Sequence, residues 1–229
     1  MTALPPRARN RMAKERRILE SALKVFAEEG YSGASMDAIA ALAGVSKPTL
    51  YQYFGAKEQL FTAIMVEHRD TMLGAFEEPD GLGLVPELWA FAWHYANTVL
   101  RPDFLSLARL IIGEAQRFPE IGRAYQAAGP ERMLQGMMDY LSARKAEGRL
   151  AFDDAEMTAE DLWGLILSAP RNRALHDPEN LPSRADLHRF VTNGLRVFLK
   201  AYSTDPSNDL AELKALSEQG PSQETGKKP

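Results

Sequence analysis

The chain has 229 residues, 45% of them hydrophobic, a formal net charge of −4 and no cysteine. This much apolar material predicts a folded core, and the lack of cysteine excludes disulfides and thiolate chemistry and fits a reducing cytoplasm. No apolar segment of signal-peptide type follows the basic N-terminus, and no apolar run approaches the roughly 18 residues of a membrane span. We therefore expect a cytoplasmic protein without membrane contact.

The charge is unevenly distributed along the chain. Six basic residues and one acid precede Ile18, a local charge of +5, and residues 1–60 carry +3 while the remainder carries −7. Such asymmetry indicates a polyanionic partner for the N-terminal part, because phosphate neutralisation supplies much of the affinity of nucleic-acid-binding proteins. A solvated basic tail is the alternative interpretation.

Helical periodicity predicts four helices in the N-terminal part. The first runs from about Arg9 to Glu29 and stops at Gly30, where glycine can close a helix. Ser35 and Ser46 are typical N-caps for two short helices, 36–43 and 47–53, separated by a turn at Gly44. A fourth helix begins near Lys57. Pro48 is compatible with the third helix, because first-turn amides have no partner within a helix.

Longer helical segments follow at roughly 85–100, 103–117, 130–147, 158–175 and 184–202. From Ser203 onward the chain becomes polar and rich in Pro, Gly and Ser, which predicts a mobile tail with at most a short helix around 209–218. The predicted fold class is all-α. We expect a basic arm and three-helix DNA-binding domain (1–60), a larger helical domain for effector binding and dimerisation (61–202), and the tail (203–229).

The short helix, glycine turn and second short helix form a helix-turn-helix pattern. Leu50 and Phe54 can hold the second helix on the core, which leaves a polar face without a carboxylate for a DNA major groove. Lys57, at the next helix start, is predicted to clamp a phosphate. The full predicted DNA-binding set is Ser35, Met36, Ser46, Lys47, Pro48, Thr49, Tyr51, Gln52, Tyr53 and Lys57.

The run RRILESALKVFAEEGYSGASMDAIAALAGVSKPTLYQYFGAKEQLFTAIM (16–65) resembles the N-terminal domain of the TetR family of bacterial repressors. The resemblance implies that Lys57 holds backbone phosphate and that six residues face an operator: Ser46, Lys47, Pro48, Thr49, Tyr51 and Tyr53. Many members carry glycine where this chain has Pro48, so one amide donor toward phosphate is lost here. Residues 101–125 are similar to a segment of a multidrug-regulator-like subgroup.

The resemblance also implies an effector pocket and a two-fold dimer in the larger domain, although plain core packing is the competing explanation for each residue. Aromatic residues and adaptable methionines favour a small apolar or amphipathic effector. The candidate pocket residues are Trp89, Trp93, Asn97, Phe104, Met133, Met137, Trp163 and Arg171. The candidate dimer residues are Leu162, Leu165, Ile166, Ala169, Leu187, Phe190, Val191, Leu195 and Phe198.

Two other classes of function are weighed against a regulator. An enzyme is disfavoured because the four histidines are scattered and no H-E-x-x-H, G-x-S-x-G, P-loop or dinucleotide glycine pattern occurs. A protein-binding helical adaptor would have no need of six bases ahead of a helix-turn-helix. We expect a ligand-responsive regulator without cofactor or metal, a repressor that binds a palindromic operator as a homodimer and leaves it when a small molecule binds.

Overall fold

The computed structural model describes residues 5–73 and 81–219, and these residues are almost entirely helical, which confirms the all-α prediction. An isolated antiparallel bridge between Leu150 and Ser203 is the exception. The helices are α1 (Pro6–Gly33), α2 (Met36–Ala43), α3 (Lys47–Phe54), α4 (Lys57–Leu73), α5 (Leu84–Val99), α6 (Pro102–Glu114), α7 (Pro119–Ala128), α8 (Pro130–Ala146), α9 (Ala155–His176), α10 (Arg184–Tyr202) and α11 (Pro206–Gln219). Within the described ranges, no helix is long and apolar enough to span a bilayer.

The helices form two compact units. Among the described residues, the first contains 5–70 together with 103–130, and the second contains 71–73, 81–102 and 131–219. The predicted boundary near residue 60 therefore differs from the packing, because residues 103–130 join the N-terminal unit. Local periodicity cannot reveal this, since it marks helices but not their partners.

The basic arm of the sequence analysis is the first part of helix α1. This helix begins at Pro6, where the fixed φ of proline suits a first turn, and leaves helical geometry at Gly30 with φ 72° and ψ 167°. A Cβ at position 30 would lie 2.7 Å from Glu114 Oε1, and the same oxygen accepts a hydrogen bond of 3.1 Å from the Tyr31 amide. The positive φ favours glycine there, and the Glu114 carboxylate occupies the space beside it.

The core of the first unit is built around an aromatic cluster. Phe26 stacks on Tyr31 at 5.6 Å between ring centroids, and Phe61 meets both rings edge-on. Phe118 reaches Tyr31 edge-on at 5.3 Å, so α7 is tied to the N-terminal helices. Ile18 from α1, Ile39 from α2 and Leu50 from α3 are each fully buried in the same core. The two short helices are therefore fixed on a rigid base.

In the second unit α9 and α10 pack closely at a glycine. A Cβ built on Gly194 of α10 would lie 2.8 Å from the carbonyl oxygen of Leu165 and 3.1 Å from the Cα of Ile166. Near the start of α5, Glu87 accepts a hydrogen bond of 2.9 Å from the Tyr140 hydroxyl, and its other oxygen accepts from the Gly83 amide. Burial, together with the Glu87 carboxylate, raises the pKa of Tyr140.

The C-terminal segment is a helix up to Gln219, where polar composition predicted a mobile tail. Asp209 of α11 is fully buried and accepts hydrogen bonds from Arg149 Nη2 at 2.9 Å and Ser203 Oγ at 2.6 Å. His188 Nε2 lies 3.0 Å from the carbonyl oxygen of Ser217, near the other end of the helix. The short helix allowed around 209–218 is thus present as the longer α11, and the hydrogen bonds of the buried Asp209 lie near its start. Residues 220–229 lie outside the described part.

Candidate nucleic-acid interface

Helices α2 and α3 form the predicted helix-turn-helix, and each boundary has a local cause. The Ser35 hydroxyl accepts a hydrogen bond from the Ala38 amide at the start of α2, and the Ser46 hydroxyl accepts one from the Thr49 amide at the start of α3. Gly44 ends α2 in the left-handed conformation, with φ 62° and ψ 38°. Its amide and that of Val45 then return to Ala41 and Ala40 carbonyl oxygens.

Helix α3 has a buried face and an exposed face. Leu50 and Phe54 are 0% and 8% exposed, so they anchor the helix in the core of the first unit. Lys47, Pro48, Tyr51 and Gln52 are all exposed, at positions i, i+1, i+4 and i+5. This spacing makes them one continuous surface stripe of the helix. We call these four residues the α3 stripe.

Pro48 costs α3 no hydrogen bond within the chain. It occupies the first turn of the helix. The hydrogen bond that spans it, from the Leu50 amide to the Ser46 carbonyl oxygen, is intact at 3.0 Å. Thr49 is half-buried and its hydroxyl lies 2.7 Å from the Ser46 hydroxyl, so both groups hold the helix start. Ser46 and Thr49, predicted as DNA contacts, therefore also stabilise the start of α3.

The α3 stripe has an acidic neighbour that the sequence did not indicate. This neighbour is Asp37, in the first turn of α2. Lys47 Nζ lies 2.8 Å from Asp37 Oδ1 and 3.0 Å from Asp37 Oδ2. This hydrogen bond and the charge of Asp37 raise the pKa of Lys47. The stripe was expected to be free of carboxylates, and the fold corrects this, because the turn brings α2 beside α3.

Two predicted DNA contacts are committed to the interior of the fold. Met36 is only 8% exposed and packs in the core of the first unit, so it presents almost no surface to DNA. Lys57 Nζ donates hydrogen bonds to the carbonyl oxygens of Tyr31 at 2.7 Å and Ala34 at 3.1 Å. It also lies 4.7 Å from the Tyr31 ring centroid. In this structure Lys57 caps the end of α1 instead of presenting its charge to phosphate.

Positive charge reaches the helix-turn-helix from α1. The Arg11 guanidinium carbon lies 5.9 Å from the ring centroid of the half-buried Tyr53, at the distance of a cation–π contact. Arg9 and Lys14 are exposed on the same helix. Arg16 is also exposed but is paired with Glu20 at 3.1 Å. The contact of Arg11 with α3 was not visible in the sequence, because it depends on how α1 packs.

The structure brings two of the residues predicted for an effector pocket, Trp163 and Arg171, to one groove. Trp89, Trp93, Met133 and Met137 are buried in the chain, Asn97 is exposed, and Phe104 belongs to the first unit. Trp163 and Arg171 line a groove of about 560 Å³ along α9. Tyr95 of α5 completes its aromatic wall.

The predicted dimer stripe divides into two groups. Six of its members are buried inside the second unit and have no surface to offer a partner chain: Leu162, Ile166, Leu187, Val191, Leu195 and Phe198. Intramolecular packing therefore explains them, as the alternative interpretation held. Leu165, Ala169 and Phe190 keep part of their surface accessible.

Comparison with known proteins places both parts of the chain in one family. Residues 18–64 match the family model for bacterial regulatory proteins of the tetR family. Residues 86–204, more than half of the chain, match the model for the C-terminal domain of AefR-like transcriptional repressors.

Relatives with assigned roles match over short stretches. The transcriptional repressor NicS of Pseudomonas putida is 35% identical over 96 residues, which cover 39% of this chain and 44% of NicS. The transcriptional activator FasR of Mycolicibacterium smegmatis is 40% identical over 72 residues, 30% of this chain and 33% of FasR. The chain thus spans less than half the length of these curated relatives.

Solved structures match over nearly their full length. A TetR-family transcriptional regulator from Mesorhizobium loti is 30% identical, with a TM-score of 0.71 over 84% of this chain and 98% of that chain. The flavonoid-responsive regulator FrrA is 32% identical, with a TM-score of 0.69 over the same shares. These relatives are transcriptional regulators rather than enzymes. The chain belongs to the TetR family of bacterial DNA-binding transcriptional regulators.

Proposed function

We propose that this regulator represses transcription by binding a palindromic operator as a homodimer in the cytoplasm, and that a small amphipathic effector releases it. The observation that carries the proposal is the α3 stripe. Its four exposed side chains stand on a helix whose opposite face is anchored by Leu50 and Phe54. A helix held in this way can enter a major groove about 12 Å wide without leaving its core.

Within the stripe, the side chains suit different parts of DNA. Gln52 can pair with the edge of an adenine through its amide, and Tyr51 and Lys47 can donate to phosphate oxygens. Ser46 and Thr49 lie at the start of the same helix, so α3 would approach DNA by its N-terminal turn. Met36 and Lys57 are left out of this proposed surface because both are committed within the fold.

Homodimerisation is supported by the residual surface of α9 and α10. Leu165 and Phe190 remain partly accessible after the helices have packed together, whereas the partly accessible Ala169 lines the groove along α9. A two-fold dimer would present two copies of α3, which matches half-sites one DNA turn apart. Repression is supported by the description of the C-terminal family model, which is that of a repressor.

Release by an effector follows from differential binding. Operator binding needs a particular separation of the two α3 helices. A ligand that favours a different separation lowers the fraction of dimers able to bind DNA. FrrA is flavonoid-responsive by its name, which supports a small-molecule effector for this chain as well.

The test begins with selection of bound sequences from a random DNA pool, followed by gel shifts on the DNA flanking the protein's own gene. We expect a two-fold symmetric sequence to be enriched. Gln52→Ala should lose discrimination at a fixed base pair of each half-site by about 1–3 kcal/mol. Gln126→Ala, the same change at an exposed position of α7, is the matched control. Absence of any enriched sequence at moderate salt would overturn the proposal.

The sign of regulation needs a separate measurement. In an in vitro transcription assay with the selected operator overlapping the promoter, added protein should lower transcript yield. An increase in transcript yield would instead identify this chain as an activator. The relative FasR is an activator by its name.

A further inference from the structure

The groove along α9 is open to solvent and has the volume of a small-molecule site. Its volume of about 560 Å³ falls within the roughly 300–1,000 Å³ typical of ligand pockets. Tyr95 of α5 and Trp163 of α9 form one wall, and Glu160, Ser168, Arg171 and Asn172 of α9 contribute polar groups. All of these residues belong to the second unit.

The aromatic wall suits a flat ligand. The rings of Tyr95 and Trp163 are 6.2 Å apart and inclined by 27°, and Phe91 stacks on Tyr95 at 6.0 Å and 6°. Three rings are therefore arranged in one stack, of which Tyr95 and Trp163 line the groove. A planar ring placed against them continues the stack, a geometry that aromatic groups favour.

Arg171 supplies the charge preference. It lies eight residues after Trp163, which is about 12 Å along the helix axis, and both side chains line the groove. Its guanidinium forms no hydrogen bond or ion pair within residues 5–73 and 81–219, although the residue is half-buried. Glu160, the acid of the groove, precedes Trp163 in the sequence, whereas Arg171 follows it. Glu160 and Arg171 are therefore roughly 16 Å apart along the helix axis. The groove thus has an anion-accepting end separated from its acidic end.

We propose that this groove binds a planar aromatic anion of two or three rings, with the rings against Tyr95 and Trp163 and the carboxylate or phenolate oxygen at Arg171. We further propose that this class of compound is the effector, a part that rests on the function proposed above. Purely aliphatic acids lack the stacking surface, and neutral aromatics leave Arg171 without a partner. The class is selected by both features together.

The test is isothermal titration of the full-length protein, without DNA, using naphthoate as the probe. Naphthamide keeps the rings without the charge, and octanoate keeps the charge without the rings. We expect saturable binding of naphthoate, with one molecule per chain and each comparison compound weaker by about tenfold or more. No binding of naphthoate, or equal binding of all three compounds, would overturn the assignment.

Variants locate the site. Arg171→Gln should weaken naphthoate by about tenfold or more, because a charge-assisted hydrogen bond is lost, and should leave naphthamide unchanged. Arg173→Gln is the matched control. Arg173 is exposed, lies two residues after Arg171 and is outside the groove lining, so the variant removes the same charge from a neighbouring position. Trp163→Ala removes one ring of the stacking wall, and should weaken both aromatic probes about fivefold while leaving octanoate unchanged. Thermal unfolding of each variant checks that the fold is kept. Undiminished naphthoate binding by Arg171→Gln places the probe elsewhere and contradicts the proposal.

The effector role is read separately by adding naphthoate to the operator gel shift. Release of DNA by the unmodified protein but not by Arg171→Gln supports it, and binding without any effect on the operator complex overturns it. If no operator is found while titration still shows binding that depends on Arg171, the proposed regulator function fails and the ligand site stands.

Discussion

Lys57 lies at the start of α4 and donates hydrogen bonds to three carbonyl oxygens at the end of α1, those of Tyr31, Ser32 and Ala34. Its ammonium group also faces the Tyr31 ring. Burial, with smaller contributions from Glu58 and Glu120, raises the pKa of that tyrosine to about 12, so the ring stays neutral beside the lysine at physiological pH. A lysine placed like a phosphate clamp is thus used to join α4 to α1.

Lys57→Met keeps the stem of the side chain but removes its donors. We expect the free energy of unfolding to fall by about 1.5–3 kcal/mol, the range for hydrogen bonds that involve a charged group. Urea denaturation measures this, with Lys24→Met, an exposed lysine of α1, as the control. Our assignment fails if the free energy of unfolding is unchanged while the slope of log affinity against log salt becomes shallower by the amount expected for one lost phosphate contact.

Asp37 restrains Lys47 at the edge of the α3 stripe. Asp37→Asn removes the carboxylate that lies 2.8 Å from the ammonium group. We expect tighter nonspecific DNA binding and a steeper plot of log affinity against log salt, by about 0.9 for one added phosphate contact. Fluorescence anisotropy at several salt concentrations measures both quantities.

Glu156→Gln controls for the general effect of this change. It removes an exposed first-turn acid and one negative charge, as Asp37→Asn does, but from α9 in the second unit. A slope that rises equally in both variants would show a general charge effect rather than the release of Lys47.

The contact of α9 with α10 depends on the absence of a side chain at Gly194. In Gly194→Ala the new methyl group would meet the Leu165 backbone at 2.8 Å, and backbone cannot rotate away. We expect a loss of about 1–3 kcal/mol, as for other overpacked cores. Gly164→Ala is the matched comparison on α9, because nothing lies within 4 Å of a Cβ built at this position. It should stabilise by about 0.5–1 kcal/mol, and equal effects of the two variants in thermal unfolding would contradict the argument.

The start of α11 depends on the ion pair between Asp209 and Arg149. Asp209 is fully buried whereas the Arg149 side chain keeps 39% of its surface exposed, so removing the acid leaves a cation that water can still reach. For Asp209→Ala we expect a loss of about 1–3 kcal/mol, which combines the hydrogen bonds from Arg149 and Ser203.

Glu218→Ala is the control on the same helix. Its pair with Lys214 spans 3.8 Å at the surface, and exposed pairs contribute about 0–1 kcal/mol. Hydrogen exchange of α11 amides should rise in the Asp209 variant and not in the control. Unchanged protection in both would mean that apolar packing alone holds the helix.

For the whole molecule, the proposed homodimer rests on what the packing of a single chain leaves uncovered. Phe190→Lys should raise the dimer dissociation constant by about tenfold or more, since burying a lysine in an interface is unfavourable. Met157→Lys places the same charge at another exposed apolar position, outside the predicted interface, and should leave the constant unchanged. Sedimentation equilibrium measures both. A dimer unaffected by Phe190→Lys would place the interface elsewhere.

Features that depend on near neighbours along the chain could be predicted. The caps at Ser35 and Ser46, the left-handed Gly44 and the first-turn Pro48 all follow from residues within about four positions, and the structure has each of them. The division of α3 into anchoring and exposed residues follows from the helical period. The family could be identified from the same stretch, because its motif consists of these local signals.

Features that depend on contacts between distant residues could not be predicted, because a periodic stripe states that a residue is buried but not against what. The stripe proposed for dimerisation lies largely within the second unit, and Lys57 and Met36 face inward instead of toward DNA. Asp37 beside Lys47 and Arg11 beside Tyr53 arise from the way helices come together. Side-chain character and spacing thus suffice for the helices and the family, whereas packing over long sequence separations assigns each polar residue either to the fold or to a partner.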